Sequence, residues 1–156
     1  MASLAARAVS RISAARLLVA AFWAGAVWLL GYVAAPAVFG IVSGPVAGDI
    51  VGVFLRRLAW ISIACAALML VLVQASTDLE RGRRRFLQML VLAMLACALV
   101  MFVGLQPAMA QMREAAGPLG IRASPLWTKF AVMHGVSQLF HLIEAVLAAV
   151  LIVKSR

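Results

Sequence analysis

The sequence predicts an all-α integral membrane protein, a four-helix up-down bundle, and three observations carry that expectation. Four long apolar runs each approach or exceed the ~20 residues that cross a bilayer core of ~30 Å. Of the 156 residues 66% are apolar and only 12% charged, far from the balance of a soluble domain. The segments between the runs are too short to house a soluble domain, so consecutive helices run antiparallel. The organisation read from this is a basic N-terminal segment over 1–16, one transmembrane domain over 17–153 and a short tail over 154–156. Helices are expected at about 17–41, 45–75, 86–116 and 125–153.

The first helix follows Met1–Arg16, a stretch rich in Arg, Ser and Ala and free of acids. A cleaved signal peptide has an apolar region of about 7–15 residues. Here the run extends from Leu17 to Val42, so it reads as a retained span. The composition of Met1–Arg16 also fits a mitochondrial transit segment. Ala21 and Gly25 are spaced for close helix approach. Trp28 and Tyr32 lie well inside the run, away from the interfacial belt where such rings anchor. They are expected to pack on neighbouring helices, with the indole N–H and phenol O–H meeting polar partners on helix 4. Pro36 removes a backbone donor and crowds the preceding turn, which predicts a kinked or loosened outer third.

Gly40, Gly44, Gly48 and Gly52 recur at every fourth position, but Pro45 interrupts them. Ser43-Gly44-Pro45 reads as a turn with proline opening helix 2, which then starts on the G-x-x-x-G of Gly48 and Gly52. At 1.5 Å per residue this helix would measure about 46 Å, more than the membrane core. Its first turns, with Asp49, Arg56 and Arg57, therefore protrude or lie at the interface. Helix 3 behaves alike: its apolar run ends near Gln106-Pro107, yet good helix formers continue until Gly117-Pro118. Two extensions on one side predict an ionic cap in which Asp49 and Glu114 face Arg56, Arg57 or Arg113. Ser124-Pro125 reads as an N-cap followed by a first-turn proline.

A net charge of +9 would suggest nucleic acid in a soluble protein. Here the charges flank the apolar runs, so the expected partner is the lipid bilayer and no nucleic acid. Nine of the fourteen basic residues fall on the side of the termini: Arg7, Arg11, Arg16, Arg81, Arg83, Arg84, Arg85, Lys154 and Arg156. The other side has five, Arg56, Arg57, Arg113, Arg122 and Lys129. This bias predicts both termini in the cytoplasm, in a plasma or inner-type membrane. The Arg81–Arg85 cluster reads first as a stop signal and headgroup anchor.

Helix 4 is the stretch that the rest of the chain must cover. Its apolar run carries His134, Ser137, Gln138, His141 and Glu144, the first four within roughly a third of the circumference and Glu144 beside them. Ionisable groups in hydrocarbon cost a few kcal/mol or more, so the stripe is expected to face other helices or water.

The pattern W-A-G-A-V-W-L-L-G-Y-V-A-A-P-A-V-F in helix 1, L-Q-P-A-M around Pro107 and F-A-V-M-H-G-V-S-Q-L-F-H-L from Phe130 resemble a known family. It is the family of small four-span membrane proteins of unknown function that includes transmembrane protein 205. The most specific piece is H-G-x-S, here His134, Gly135 and Ser137. The resemblance implies the four-span architecture and no defined activity. Where that family tends to carry asparagine after H-G-x-S, this chain has His141.

The chemistry on offer is narrow. His134 and His141 are the only histidines, and their rise of about 10 Å along one helix prevents both from ligating one ion. A haem held by two histidines of one copy is therefore excluded, and a single-histidine haem remains open. Met94, Cys97 and Met101 share a face of helix 3, and with His134 they would suit Cu(I). Core packing is the simpler reading of such a stripe. Cys65 and Cys97 read as reduced, buried residues, with a disulfide as the lesser alternative. No nucleophile is paired with a base, so no enzyme is expected.

The expected function is a membrane protein whose polar pocket on helix 4 binds or permeates a small ligand. His134, Ser137, Gln138, His141 and Glu144 form that pocket with Trp28 and Tyr32, and no resident cofactor is needed. Two alternatives stand beside it. One is a structural or assembly protein whose stripe is interhelical glue, with a second copy or another membrane protein as partner. The other is a copper- or haem-binding membrane protein.

Overall fold

A computed structural model describes residues 2–117 and 119–155. Pro118, expected to stop helix 3, and Arg156, counted among the flanking cations, lie outside the described residues. Helix 1 comprises Ala2–Leu29, a π turn over Leu30–Ala34, and Ala35–Ile41. Helix 2 is Gly44–Ala75. Helix 3 comprises Arg81–Leu99, a π turn over Val100–Leu105, and Gln106–Ala115. A 3-10 turn, Ile121–Ala123, leads to helix 4 at Trp127–Lys154. Four helices are long and apolar enough to cross a membrane: Val9–Ile41, Gly44–Ala75, Arg81–Ala115 and Trp127–Lys154. No strand occurs among the described residues.

Several helix ends differ from the expected ones for local reasons. Helices 1 and 3 begin at Ala2 and Arg81, ahead of Leu17 and Phe86, because Ala, Leu and Arg favour the helix whether or not they are in lipid. Helix 4 begins at Trp127 and not at Pro125. Ser124 builds a turn in front of it: its Oγ accepts from the Leu126 N–H at 3.1 Å, and its carbonyl accepts from the Trp127 N–H at 3.0 Å. Gly117, at φ +70°, supplies the left-handed residue just beyond helix 3.

Both π turns end two residues before a proline, Pro36 and Pro107. A proline has no N–H for the carbonyl four residues back, and its ring crowds that turn. Each helix widens instead of breaking: the Ala35 N–H donates to the Leu30 carbonyl and the Gln106 N–H to the Met101 carbonyl. The loosened outer third expected of helix 1 is thus a π turn, and helix 3 has one too.

Each helix packs against its sequence neighbours, and helix 1 also packs against helix 4, closing a ring. The interior is filled by Trp23, Met69, Leu87, Met94 and Leu151, with Ala20, Ala66, Ala145 and Ala148 letting the backbones approach. Phe22, Trp60, Val71, Met89 and Val103 point outward, as lipid-facing side chains do. Cys65 and Cys97 are buried free thiols.

Polar contacts tie both ends of the bundle. At the end with the termini, Arg16 is 1% exposed and grips Asp78 through two bonds of 3.1 and 2.9 Å. It also donates to the Ser76 hydroxyl. Arg84 donates to the Ser76 carbonyl at 2.6 Å, and Arg83 to the Lys154 carbonyl at 2.9 Å. Arg16 and part of the Arg81–Arg85 cluster therefore act as ties between helix ends besides flanking the membrane. At the other end, Arg113 lies along the Gly48–Gly52 groove with its Nε 3.9 Å from Asp49. This is the ion pair expected between the two extensions, and the glycines serve an arginine side chain there.

Candidate functional site

Glu144 is the centre of the interior. It projects from helix 4 at 1% exposure, beside Ala145 and Ala148. Two neutral groups approach it in series from two other helices. The Trp23 indole N–H donates to Ser62 Oγ at 2.9 Å, and the Ser62 hydroxyl donates to Glu144 Oε1 at 3.4 Å. The direction is forced: an indole N–H can only donate, so Ser62 accepts there and has one proton left for the carboxyl group. Glu144 Oε2 has no partner. No cation lies within ion-pairing distance of Glu144 among the described residues; the two ion pairs there are Arg16–Asp78 and Arg113–Asp49.

A cavity with room for about one water molecule (about 10 Å³) borders this carboxyl group. Its walls come from Leu55, Leu58, Ala59 and Ser62 of helix 2 and from Ala98, Met101, Phe102 and Gln106 of helix 3. The π turn of helix 3 thus forms one wall, and Gln106, which accompanies the switch back to α geometry, adds an amide at the same opening. π turns recur where helices build functional sites. Counting about 20 residues from the Arg81–Arg85 end places Gln106 near the far boundary of the core. The cavity therefore lies between Gln106 near that boundary and Glu144 deeper in the bundle.

The expected pocket residues divide into three groups. Glu144 belongs to the interior just described. His141, buried beside it on helix 4, faces helix 1: its Nε2–H donates to the Val27 carbonyl at 3.2 Å, and Tyr32 covers the ring at 5.7 Å between centroids. Gly31 leaves the space this imidazole occupies, since a Cβ there would overlap it. Trp28 lies tilted against Tyr32 at 5.2 Å between centroids, and its indole N–H donates to the Ala145 carbonyl at 3.1 Å, not to a stripe side chain. Trp28 and Tyr32 remain 46% and 42% exposed, so they form the lipid-side edge of a seam and not a pocket wall. Ser137 is buried on helix 4.

His134 and Gln138 are corrections: both are exposed. The stripe spans about 120° at 100° per residue, and it straddles the edge of the buried arc. Residues 137, 141 and 144 fall inside that arc and residue 138 outside it, whereas residue 134 shares the angle of buried His141 and Ala145 but lies toward the outer end, before the first buried residue of this helix. His134 instead ends a ladder of rings, Arg122 over Trp127 at 5.6 Å, Trp127 on Phe130 at 6.2 Å, and Phe130 on His134 at 6.1 Å.

The soft-metal set does not converge either. Met94, Cys97 and Met101 are buried in helix 3, whereas His134 stands exposed on Phe130. Met101 lines the Glu144 cavity as packing. Among the described residues no group of three or more His, Cys, Asp and Glu side chains could hold a metal ion.

Trp23, Ser62 and Gln106 were not legible as site residues. Ser62 had a usable signal: it is the one hydroxyl in L-A-W-I-S-I-A-C-A of helix 2, and a buried carboxyl group needs a donor from another helix.

No curated protein and no solved structure matches the chain. One family match covers residues 18–118, which include Trp23, Ser62 and Gln106 and end before helix 4. By that match the chain, whose four helices suit a bilayer in length and polarity, belongs to the uncharacterised family described as a domain of unknown function (DUF4149).

Proposed function

We propose that the protein binds a small polar species inside the membrane at Glu144, a proton with its water or a small monovalent cation. The species passes between this site and the end of the bundle away from the termini. One observation carries the reading: a carboxyl group 1% exposed, with one oxygen held by Ser62 and the other unpartnered, on the wall of a cavity that leads to Gln106. A bare carboxylate in a low-dielectric interior costs several kcal/mol, so a proton or a cation must accompany it. Groups of this kind in membrane helices commonly mark ion and proton pathways.

The reading is of a non-enzymatic protein. It extends to topology: nine basic residues against five support both termini in the cytoplasm, in a plasma or inner-type membrane. It also takes in the likeness to the four-span family that includes transmembrane protein 205, which rests on His134, Gly135, Ser137 and the Pro107 and helix 1 patterns. A structural role has its own support, because the Trp23–Ser62–Glu144 bonds tie helices 1, 2 and 4.

Glu144→Gln separates the two roles, since it keeps an acceptor for Ser62 and removes the ionisable group. Purified protein is reconstituted in vesicles with an entrapped pH dye and challenged with an external acid step, then with an ammonium gradient. Wild type should relax faster than empty vesicles for at least one probe, and Glu144→Gln should not, at equal incorporation. Wild-type vesicles that match empty ones for both probes would refute the proposal and leave the structural role.

A further inference from the structure

Gln138 poses a question that one copy of the chain does not answer. Counting about 20 residues back from Lys154 puts the far boundary of the core near His134, so Gln138 lies one turn inside it. Its carboxamide is exposed on the lipid side of helix 4 and has no hydrogen-bond partner among the described residues. Lipid supplies no partner for its two donors and its acceptor.

The residues around it form a pattern. Thr128, Ala131, Gly135, Gln138 and Leu142 are all exposed and step by three and four residues alternately; the next step, Ala145, turns into the bundle, so the exposed seam covers the outer half of the helix. That is the 3.5-residue spacing of a left-handed coiled-coil seam, and most of its members are small. A Cβ at Gly135 would meet nothing within 4 Å. By contrast, Gly31 and Gly48 make room for His141 and Arg113 of the same chain. Gly135, like Gly25 and Gly104, serves no packing contact within the chain, and it alone of these stands one turn from Gln138 on the same exposed face.

We propose that helix 4 pairs with helix 4 of a second copy along this seam, about a two-fold axis normal to the membrane. Two copies inserted with the same topology bring equivalent residues to one depth. A carboxamide is its own complement, so Gln138 of each copy donates to and accepts from Gln138 of the other. Ala131 and Gly135 allow the backbones close enough for that exchange. A single polar residue in such a seam also fixes register, which an all-small seam leaves loose. The rings of Trp127, Phe130 and His134 flank the seam on the helix 1 side.

The test uses the full chain in lipid bilayers, with dimerisation followed by energy transfer between labelled copies and by oxidative cross-linking of Leu142→Cys. Wild type should self-associate and Leu142→Cys should cross-link to itself, while Val132→Cys, off the seam, should not. Gln138→Leu should weaken association at least about tenfold, the equivalent of 1.4 kcal/mol, with helix content and thermal stability kept. Gly135→Leu, which blocks close approach, should do the same if the Gln138 variant folds poorly. Wild type that stays monomeric overturns the proposal, and so does a dimer unmoved by both substitutions. Cross-linking through Val132→Cys and not Leu142→Cys would place the contact elsewhere and also overturn it.

Discussion

Gly31→Ala tests the seam between helices 1 and 4. A methyl group at Gly31 would overlap His141 Nε2 and lie 3.0 Å from Cε1. The overlap takes in three atoms of a ring that also lies against Tyr32 and bonds the Val27 carbonyl, so it cannot be relieved by a small rotation. Either the helices part or His141 leaves its slot, losing its bond to the Val27 carbonyl. Overpacking a filled interior costs about 1–3 kcal/mol, and one lost hydrogen bond adds about 1 kcal/mol. Alanine regains about 1 kcal/mol over glycine in a helix, which leaves a net destabilisation of about 1–3 kcal/mol. Reversible unfolding in mixed detergent micelles measures it. The decisive comparison repeats the substitution in a His141→Ala background. With the imidazole gone only the helix-propensity gain remains, so Gly31→Ala should become neutral or stabilising there. The same loss in both backgrounds, or a gain in the wild-type background, would refute the argument that His141 is what Gly31 accommodates.

Two further predictions concern the polar ties. Ser62→Ala leaves the Trp23 N–H and Glu144 Oε1 both buried without partners, and should destabilise by roughly 2–6 kcal/mol at about 1–3 kcal/mol each. In a cycle with Trp23→Phe the two losses should fall short of additive, because they share one chain of bonds. At the end with the termini, hydrogen bonding from Arg16 holds the Asp78 carboxyl below the usual carboxylate range. A depressed folded value means stability that is fully present above the unfolded aspartate value of ~3.9 and lost as pH falls through the folded one. Asp78→Asn should abolish that acid-dependent part of the unfolding midpoint. It should also destabilise at neutral pH, by less than the ~3–5 kcal/mol of a fully buried pair because Asp78 is 27% exposed.

What could be read from the chain, and what could not, divides along physical lines. Span number and order follow from runs of hydrophobicity, a signal summed over about 20 residues and hence hard to overturn. Arg113 meeting Asp49 was legible for a related reason, since both extensions had to emerge on one side. The site was half legible. Glu144 announced itself because a carboxyl group in hydrocarbon is rare, but its partners did not. Ser62 and Trp23 are ordinary residues for a membrane helix, and only the packing of helices 1 and 2 brings them to Glu144. His134 was misplaced because periodicity does not say how far along helix 4 the covering helices reach, and Gln138 because it gives the relative phase of residues on a helix and not the direction in which the whole stripe is turned. A rotation of a few tens of degrees decides which of its edges is covered. Arg16 was read only as one of the flanking cations, because nothing in the sequence shows that Asp78 and Ser76 fold back over it.

The π turns before Pro36 and Pro107 have a consequence for how the outer quarter of the bundle relates to the rest. A π turn holds one residue more than the α turn it replaces, and one residue is worth about 100° of rotation about the helix axis. Everything beyond Leu105 is therefore phased separately from the membrane-buried part of the same helix. Gln106 points at the Glu144 cavity and Arg113 at the Gly48–Gly52 groove only with the extra residue counted in. The proline holds that count, because it denies the ladder the N–H with which it could close into a plain α-helix. Helix 3 is thus two aligned pieces with an indexed joint between them, and the joint lies at the mouth of the cavity.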